Sequence, residues 1–217
     1  MIELAVKGIL AYLLGSVVGG LLIGQFRGVD IRSLGSGNAG ATNALRTQGK
    51  AVALGVLVID LGKGWLATRV IPPHAIPGIP AAVPELHAWL AAVCGIAVIL
   101  GHVCPLWYGF RGGKGVATYL GAVLGISPSL ALVMVLTWLV MVVLVGFVGL
   151  ASMTSAVAVA VAIAAGTEIA RGPLVAFGVL AALLIIFTHR SNIVRMRAGV
   201  EPRAKRLWLF GLRRGQG

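Results

Sequence analysis

Acidic side chains are nearly missing from this chain: six Asp and Glu stand against 18 Lys and Arg among 217 residues, and charged residues of both signs make up 11%. With 59% hydrophobic residues and a mean hydropathy of +0.99, that scarcity of charge excludes a soluble domain and requires lipid as solvent. Cysteine is scarcer still. Cys94 and Cys104 form no Cys-x-x-Cys pair, which leaves no basis for a disulfide framework or a thiolate metal centre. The histidines lack ligand spacing and carboxylates are few, so neither a metal nor another cofactor is expected. Ten-residue stretches of strict apolar and polar alternation are also missing, which argues for helices against a β-barrel. The net charge of +12 suits anionic headgroups or anionic substrates. Because the cations are not gathered in a soluble region, nucleic acid is not expected as a partner.

What is present is a series of uncharged runs. The first, 1–24, is longer than the core of a signal peptide and has no Ala-x-Ala site, so it reads as a retained span whose Gly15, Gly19 and Gly20 form a small-residue packing face. A second span, 51–71, is interrupted by Asp60 and Lys63 on one helix face, either a structural ion pair or a pair beside a site. Residues 72–85 are a proline-rich loop, and 86–100 a third span. Between 116 and 167 there are 52 residues without Asp, Glu, Lys or Arg. Positive residues mark the cytoplasmic side; loops 25–50, 101–115 and 190–217 hold four, two and eight Lys and Arg. With one last span over 173–188, that pattern requires an odd number of crossings in 116–167. Three short ones fit, broken near Ser127-Pro128 and at 146–149, the first being the shortest. The expectation is an all-α integral membrane protein of seven transmembrane helices, N-terminus outside and C-terminus cytoplasmic. It forms one domain over 1–217 with a basic tail from about 203, whose Arg203, Lys205, Arg206, Arg213 and Arg214 read as headgroup anchors.

Three polar stretches stand at the expected cytoplasmic ends. The first, Leu34 to Asn43 with Arg46, is dense in hydroxyls, amides and glycines, and Asn38, Thr42, Asn43 and Arg46 fall at near-helical spacing, on one side of a short helix; Ser36 could cap it. The second runs from Gly101 to Thr118 and contains His102 and Phe-Arg-Gly-Gly-Lys-Gly, where glycines could turn backbone N–H groups towards an oxyanion beside Arg111 and Lys114. A nucleotide P-loop would need Gly at 108 and Ser or Thr at 115; Tyr108 and Gly115 stand there. The third places His189, Asn192 and Arg195 three residues apart, on one helical face. Donors and cations without carboxylates suit phosphate groups, and all three stretches can converge at the cytoplasmic membrane surface. No Ser-His-Asp order is present.

Gly-Ser-Gly-Asn-Ala-Gly-Ala-Thr-Asn with Arg46, Gly-His-x-x-Pro with Phe-Arg-Gly-Gly-Lys-Gly-Val-Ala-Thr, and His-Arg-x-Asn-Ile-x-Arg with Gly-x-Glu resemble the three motifs of the bacterial acyl-phosphate-dependent glycerol-3-phosphate acyltransferases, the PlsY family. The resemblance implies a multi-pass enzyme of the bacterial cytoplasmic (inner) membrane. It would transfer a fatty acyl group from acyl phosphate to the 1-hydroxyl of glycerol 3-phosphate, giving lysophosphatidic acid and phosphate, the first step of phospholipid synthesis. Its implied partners are glycerol 3-phosphate, acyl phosphate and membrane lipid, with other lipid-synthesis enzymes as candidates. The implied catalytic residues are Ser36, Arg46, His102, Lys114, His189 and Asn192. The implied substrate-binding residues are Asn38, Thr42, Asn43, Arg111, Gly112, Gly113, Gly115, Arg195 and Glu201. His102 is the best candidate for general base, a substrate phosphate being the alternative. No histidine has Asp five residues on, which disfavours the acyltransferases that use acyl-CoA or acyl carrier protein. A transporter of phosphorylated or anionic solutes is the rival reading, and it predicts polar groups gathered at mid-membrane.

Overall fold

The computed structural model describes residues 1–166, 171–204 and 207–209, and these contain helices and no strand. The tail cations Lys205, Arg206, Arg213 and Arg214 lie outside the described residues. The chain groups into two compact units, Met1–Pro128 and Ser129–Gly217.

In the first unit, helices α1 (Ile2–Gly15) and α2 (Gly19–Phe26) are followed by α3 (Ala41–Thr47), α4 (Lys50–Arg69), α5 (Pro84–His87), α6 (Leu90–Val103) and α7 (Val116–Ile126). The expected first span is not continuous: α1 and α2 meet at 46° across Ser16–Val18. The glycines that flank the break let neighbouring backbones come close, so that a methyl group on Gly15 would run into the Val98 carbonyl of α6. Helix α1 packs on α6, α2 on α4, and α4 on α7. The α4–α7 contact has the same origin, since a side chain on Gly64 or Gly121 would strike the carbonyl of Thr118 or Leu61 on the facing helix. At the far end of α1, Lys7 and Glu3 are buried and paired at 2.6 Å. Lys7 donates to the Pro72 carbonyl and Glu3 accepts from the Ala82 amide, so the pair pins the proline-rich loop to the helix.

The second unit carries α8 (whose first residue, Pro128, closes the first unit; Pro128–Val145), α9 (Val148–Ala165), α10 (Arg171–Thr188) and α11 (Arg190–Arg197). The breaks expected near Ser127-Pro128 and 146–149 fall at Ser127 and at Gly146-Phe147. Helix α8 leaves Leu132, Leu136, Leu139, Val140 and Leu144 exposed, the surface of a helix that meets lipid. Helix α9 packs on α10 and on α11.

Four helical segments are long and apolar enough to cross a membrane, and up to six if each bent pair (α1 with α2, α10 with α11) is one span. Helix α7, apolar and 11 residues long, is the short segment expected after the Gly-rich loop. It rises about 16 Å, roughly half the hydrocarbon thickness.

Candidate active site

The first polar stretch is folded by one side chain. Asn43 is 1% exposed; its amide nitrogen donates to the carbonyls of Ile31 and Leu34 (3.1 and 2.9 Å), and its oxygen accepts from the Ser36 amide at 2.9 Å. The short helix α3 therefore turns Asn43 inward and leaves Thr42 and Arg46 exposed one turn apart, so the four residues expected on one side are divided. Ser36 does not cap this helix: its N-cap is Gly40, with no side-chain cap bond. Ser36 is exposed and Asn38 half-buried.

Arg32, one of the four cations of loop 25–50, ties this stretch to the Gly-rich loop. Arg32 donates through Nη1 to the carbonyls of Tyr108 and Arg111 (3.2 and 2.8 Å), while Nε and Nη2 grip Asp30 at 2.8–3.2 Å. Those bonds from Arg32 hold the Asp30 carboxyl below the usual carboxylate range. Asp30 also accepts from the Arg32 amide, which closes the 3-10 turn Ile31–Ser33. Only the Asp30-x-Arg32 spacing could have hinted at this clamp.

In the Gly-rich loop the backbone turns through left-handed conformations at Gly109 (φ 64°) and Phe110 (φ 58°), the latter the one non-glycine of positive φ among the described residues. Arg111 is exposed, Lys114 half-buried, and Gly115 (φ 82°) caps α7. The expected cradle needs correction in one respect. The amides of Gly112 and Gly113 are spent on the carbonyls of Val103 and His102, both at 3.1 Å, which leaves the unpaired amides of the first turn of α7 as the donors this loop delivers. Gly112 and Gly113 serve by their small size, since a methyl on Gly112 would strike the His102 carbonyl and one on Gly113 the imidazole Nε2.

His102 is 2% exposed, and its Nδ1 lies 2.9 Å from Lys63 Nζ and 3.3 Å from Asp60 Oδ1. Asp60 and Lys63, themselves buried and 2.9 Å apart, were a pair of undecided role in the sequence; the third member is on another helix and invisible to spacing.

In the second unit, His189 is buried and caps α11, its Nδ1 donating to the Ile185 carbonyl at 2.8 Å. Asn192, packed on Gly149, donates to Glu201 Oε1, and Arg195 donates to Glu201 Oε2, both at 2.6 Å. Glu201 thus gathers two of the three residues expected on one helical face. Arg203, read as a headgroup anchor, instead stacks on the rings of Phe147 and Trp208 (4.8 and 4.1 Å), while the Ala204 amide bonds the Gly146 carbonyl. The tail therefore closes over the α8–α9 break.

A family model described as glycerol-3-phosphate acyltransferase matches residues 5–199. The chain belongs to that family. Among the relatives of this acyltransferase, the glycerol-3-phosphate acyltransferase of Synechococcus elongatus is 41% identical over 204 residues, covering 94% of this chain and 95% of the relative. That of Cereibacter sphaeroides is 48% identical over 201 residues, covering 92% and 93%. Two crystal structures of PlsY, an integral membrane glycerol 3-phosphate acyltransferase, superpose with TM-scores of 0.80 and 0.78 at 37% and 36% identity, covering 92% of this chain and 94% of theirs. One is the glycerol 3-phosphate form and the other the lysophosphatidic acid form. The acyltransferase assignment therefore rests on sequence and on an all-helical integral-membrane fold together.

Proposed function

We propose that this acyltransferase moves a fatty acyl group from acyl phosphate to the 1-hydroxyl of glycerol 3-phosphate, with lysophosphatidic acid and inorganic phosphate as products. The observation that carries this reading is the likeness, across 92% of the chain, to a solved acyltransferase known in its glycerol 3-phosphate and lysophosphatidic acid forms. Acyl phosphate as donor is supported by cation-rich, carboxylate-poor loops and by the lack of any His-x-x-x-x-Asp.

In this reaction the glycerol hydroxyl attacks the acyl carbonyl, a tetrahedral oxyanion forms, and the carbon–oxygen bond to phosphate breaks. Each step needs charge held in place more than it needs a covalent enzyme intermediate. The exposed Ser36, Thr42 and Arg46, with Asn38, are assigned to phosphate binding, and Asn43 to shaping their loop. Lys114, Arg111 and the start of α7 beyond Gly112, Gly113 and Gly115 are assigned to the second phosphate. His189, Asn192 and Arg195, held by Glu201, complete the assignment. The hydroxyl proton goes to His102 or to a substrate phosphate. The enzyme is placed in the bacterial cytoplasmic membrane as a single acyltransferase domain, with the three polar stretches on the cytoplasmic face. The transporter reading is less well supported, because Lys63 Nζ and Asp60 Oδ1 within α4 are bonded to the backbone of Gly15, Val17 and Gly19.

The test is donor choice. Purified protein in lipid nanodiscs receives labelled glycerol 3-phosphate with acyl phosphate, acyl-CoA or acyl carrier protein in turn. Label is expected in lysophosphatidic acid with acyl phosphate alone; transfer from either thioester at an equal rate would overturn the donor assignment.

A further inference from the structure

The apolar segment that holds α6 runs from Pro84 to Tyr108, past the end of the helix itself, which puts the 3-10 turn Leu106–Tyr108 at the edge of the hydrocarbon. Tyr108 is turned towards protein: its hydroxyl donates to Gln25 Oε1 at 3.3 Å and its carbonyl accepts from Arg32. Its neighbours are not. Trp107 and Phe110 are 59% and 58% exposed, and Leu106 is exposed beside them. The Tyr108–Gln25 bond brings the end of α2 to the same place, where Phe26 is 85% exposed. A single exposed apolar residue needs no explanation, but four on two bonded elements at the end of a span form a patch that does.

Phe110 is the sharpest case. Its left-handed backbone is one that glycine takes freely and a bulky residue adopts at a cost. The conformation is held by the Phe110 amide on the Pro105 carbonyl at 2.9 Å and by Arg32 on the carbonyls of Tyr108 and Arg111, to either side. The ring displayed at that cost is not covered by protein. The charges beside the patch are of one sign: exposed Arg27 follows Phe26 and exposed Arg111 follows Phe110, residues 101–118 contain no Asp or Glu, and Asp30 is held by Arg32. Aromatic rings with arginine beside them at the end of an apolar span suit the boundary between hydrocarbon and anionic headgroups. A soluble acidic partner would match the arginines, but not the continuity of the patch with the span.

We propose that Phe26, Leu106, Trp107 and Phe110 insert into the leaflet at which α6 ends, cytoplasmic in the proposed orientation, with Arg27 at the level of its anionic headgroups. Phospholipid then supplies the surface that fixes the Gly-rich loop at headgroup depth. That is the depth at which a phosphate carried by a membrane-embedded acyl chain lies, so the insertion brings Arg111 and Lys114 to the donor. This consequence rests on the proposed acyl-phosphate reaction; the insertion itself does not.

The insertion is tested without turnover. Phe110→Cys and Phe26→Cys are each made in a Cys104→Ala background, Cys94 being buried, then spin-labelled and placed in nanodiscs of phosphatidylglycerol and phosphatidylethanolamine. Both labels are expected to be relaxed more by oxygen than by a water-soluble nickel chelate; the reverse order would overturn the insertion and leave the patch facing water or a soluble partner. Should a cysteine variant misfold, Trp107→Phe gives a second reading. It is expected to remove part of the tryptophan emission quenched by lipids brominated high on the acyl chain, and an unchanged quenched emission would equally overturn the insertion. The effect on the donor is read from Phe110→Gly, which relieves the backbone. It is expected to raise KM for acyl phosphate about 5-fold or more, with kcat and KM for glycerol 3-phosphate within about 2-fold of the parent and recovery in Phe110→Trp. An equal rise in both KM values, or in neither, would contradict the role in donor access. If the parent enzyme fails to use acyl phosphate, the donor assignment falls, while the spin-label and quenching results still decide the insertion.

Discussion

Asn43 shows why a residue type and its spacing name a polar position without naming its partner. It resembles a substrate-binding amide of the first motif, yet its hydrogen-bonding groups close the loop on Ile31, Leu34 and Ser36. Asn43→Ala is expected to leave these buried partners unmet and to lower stability by about 2–4 kcal/mol, read as thermal unfolding in detergent. Thr42→Ala, at an exposed position, is expected to leave the melting temperature within error and to act on KM. Arg32 was legible as a cation only, because its carbonyl partners lie 76 and 79 residues away. Arg32→Ala is expected to lower kcat/KM several-fold through the Gly-rich loop, with Arg32→Lys little better, since an ammonium cannot span two carbonyls and a carboxylate. The Asp30 carboxyl is held low in the folded protein, so its contribution is complete above the unfolded value of about 4 and is lost only as pH falls below it. Stability measured from pH 7 to 5 should therefore not register this clamp; an Asp30→Asn variant that changes the slope in that range would contradict it.

At the scale of elements, apolar runs and charge-free stretches located the helices well, because lipid demands length and hydrophobicity whatever the packing. The breaks at Ser127 and Gly146-Phe147 and the shortness of α7 were readable for the same reason. The bend between α1 and α2 was not. It arises where Lys63 and Asp60 supply bonds from another helix, and nothing in residues 1–24 records that supply. Close helix contacts follow from glycine: Gly121→Ala is expected to push α7 from α4 and cost about 1–3 kcal/mol, whereas Gly62→Ala, with open space around it, is expected to be neutral or stabilising. In the second unit, Arg203→Ala removes the stack on Phe147 and Trp208, and limited proteolysis should then cut the chain near 200–204 faster than in the parent.

For the molecule as a whole, the imbalance of 18 basic to six acidic residues carries both the topology and the chemistry. In the proposed orientation the cations are retained on one side, and an excess of cations over carboxylates suits the two phosphate-bearing substrates of the proposed reaction. The orientation is checked by placing a cysteine at Ala75 after replacing the exposed Cys104 by alanine; an impermeant thiol reagent is expected to label it from the periplasmic side, and labelling from the cytoplasm alone would reverse the topology. The central claim is direct acyl transfer from acyl phosphate to glycerol 3-phosphate. It is tested most directly by measuring phosphate and lysophosphatidic acid together in one rapid-mixing experiment on the purified enzyme. The account predicts equal amounts of the two products at every time and no phosphate before glycerol 3-phosphate is added. A burst of phosphate equal to the enzyme concentration without glycerol 3-phosphate, or no product from folded enzyme with both substrates, would contradict it.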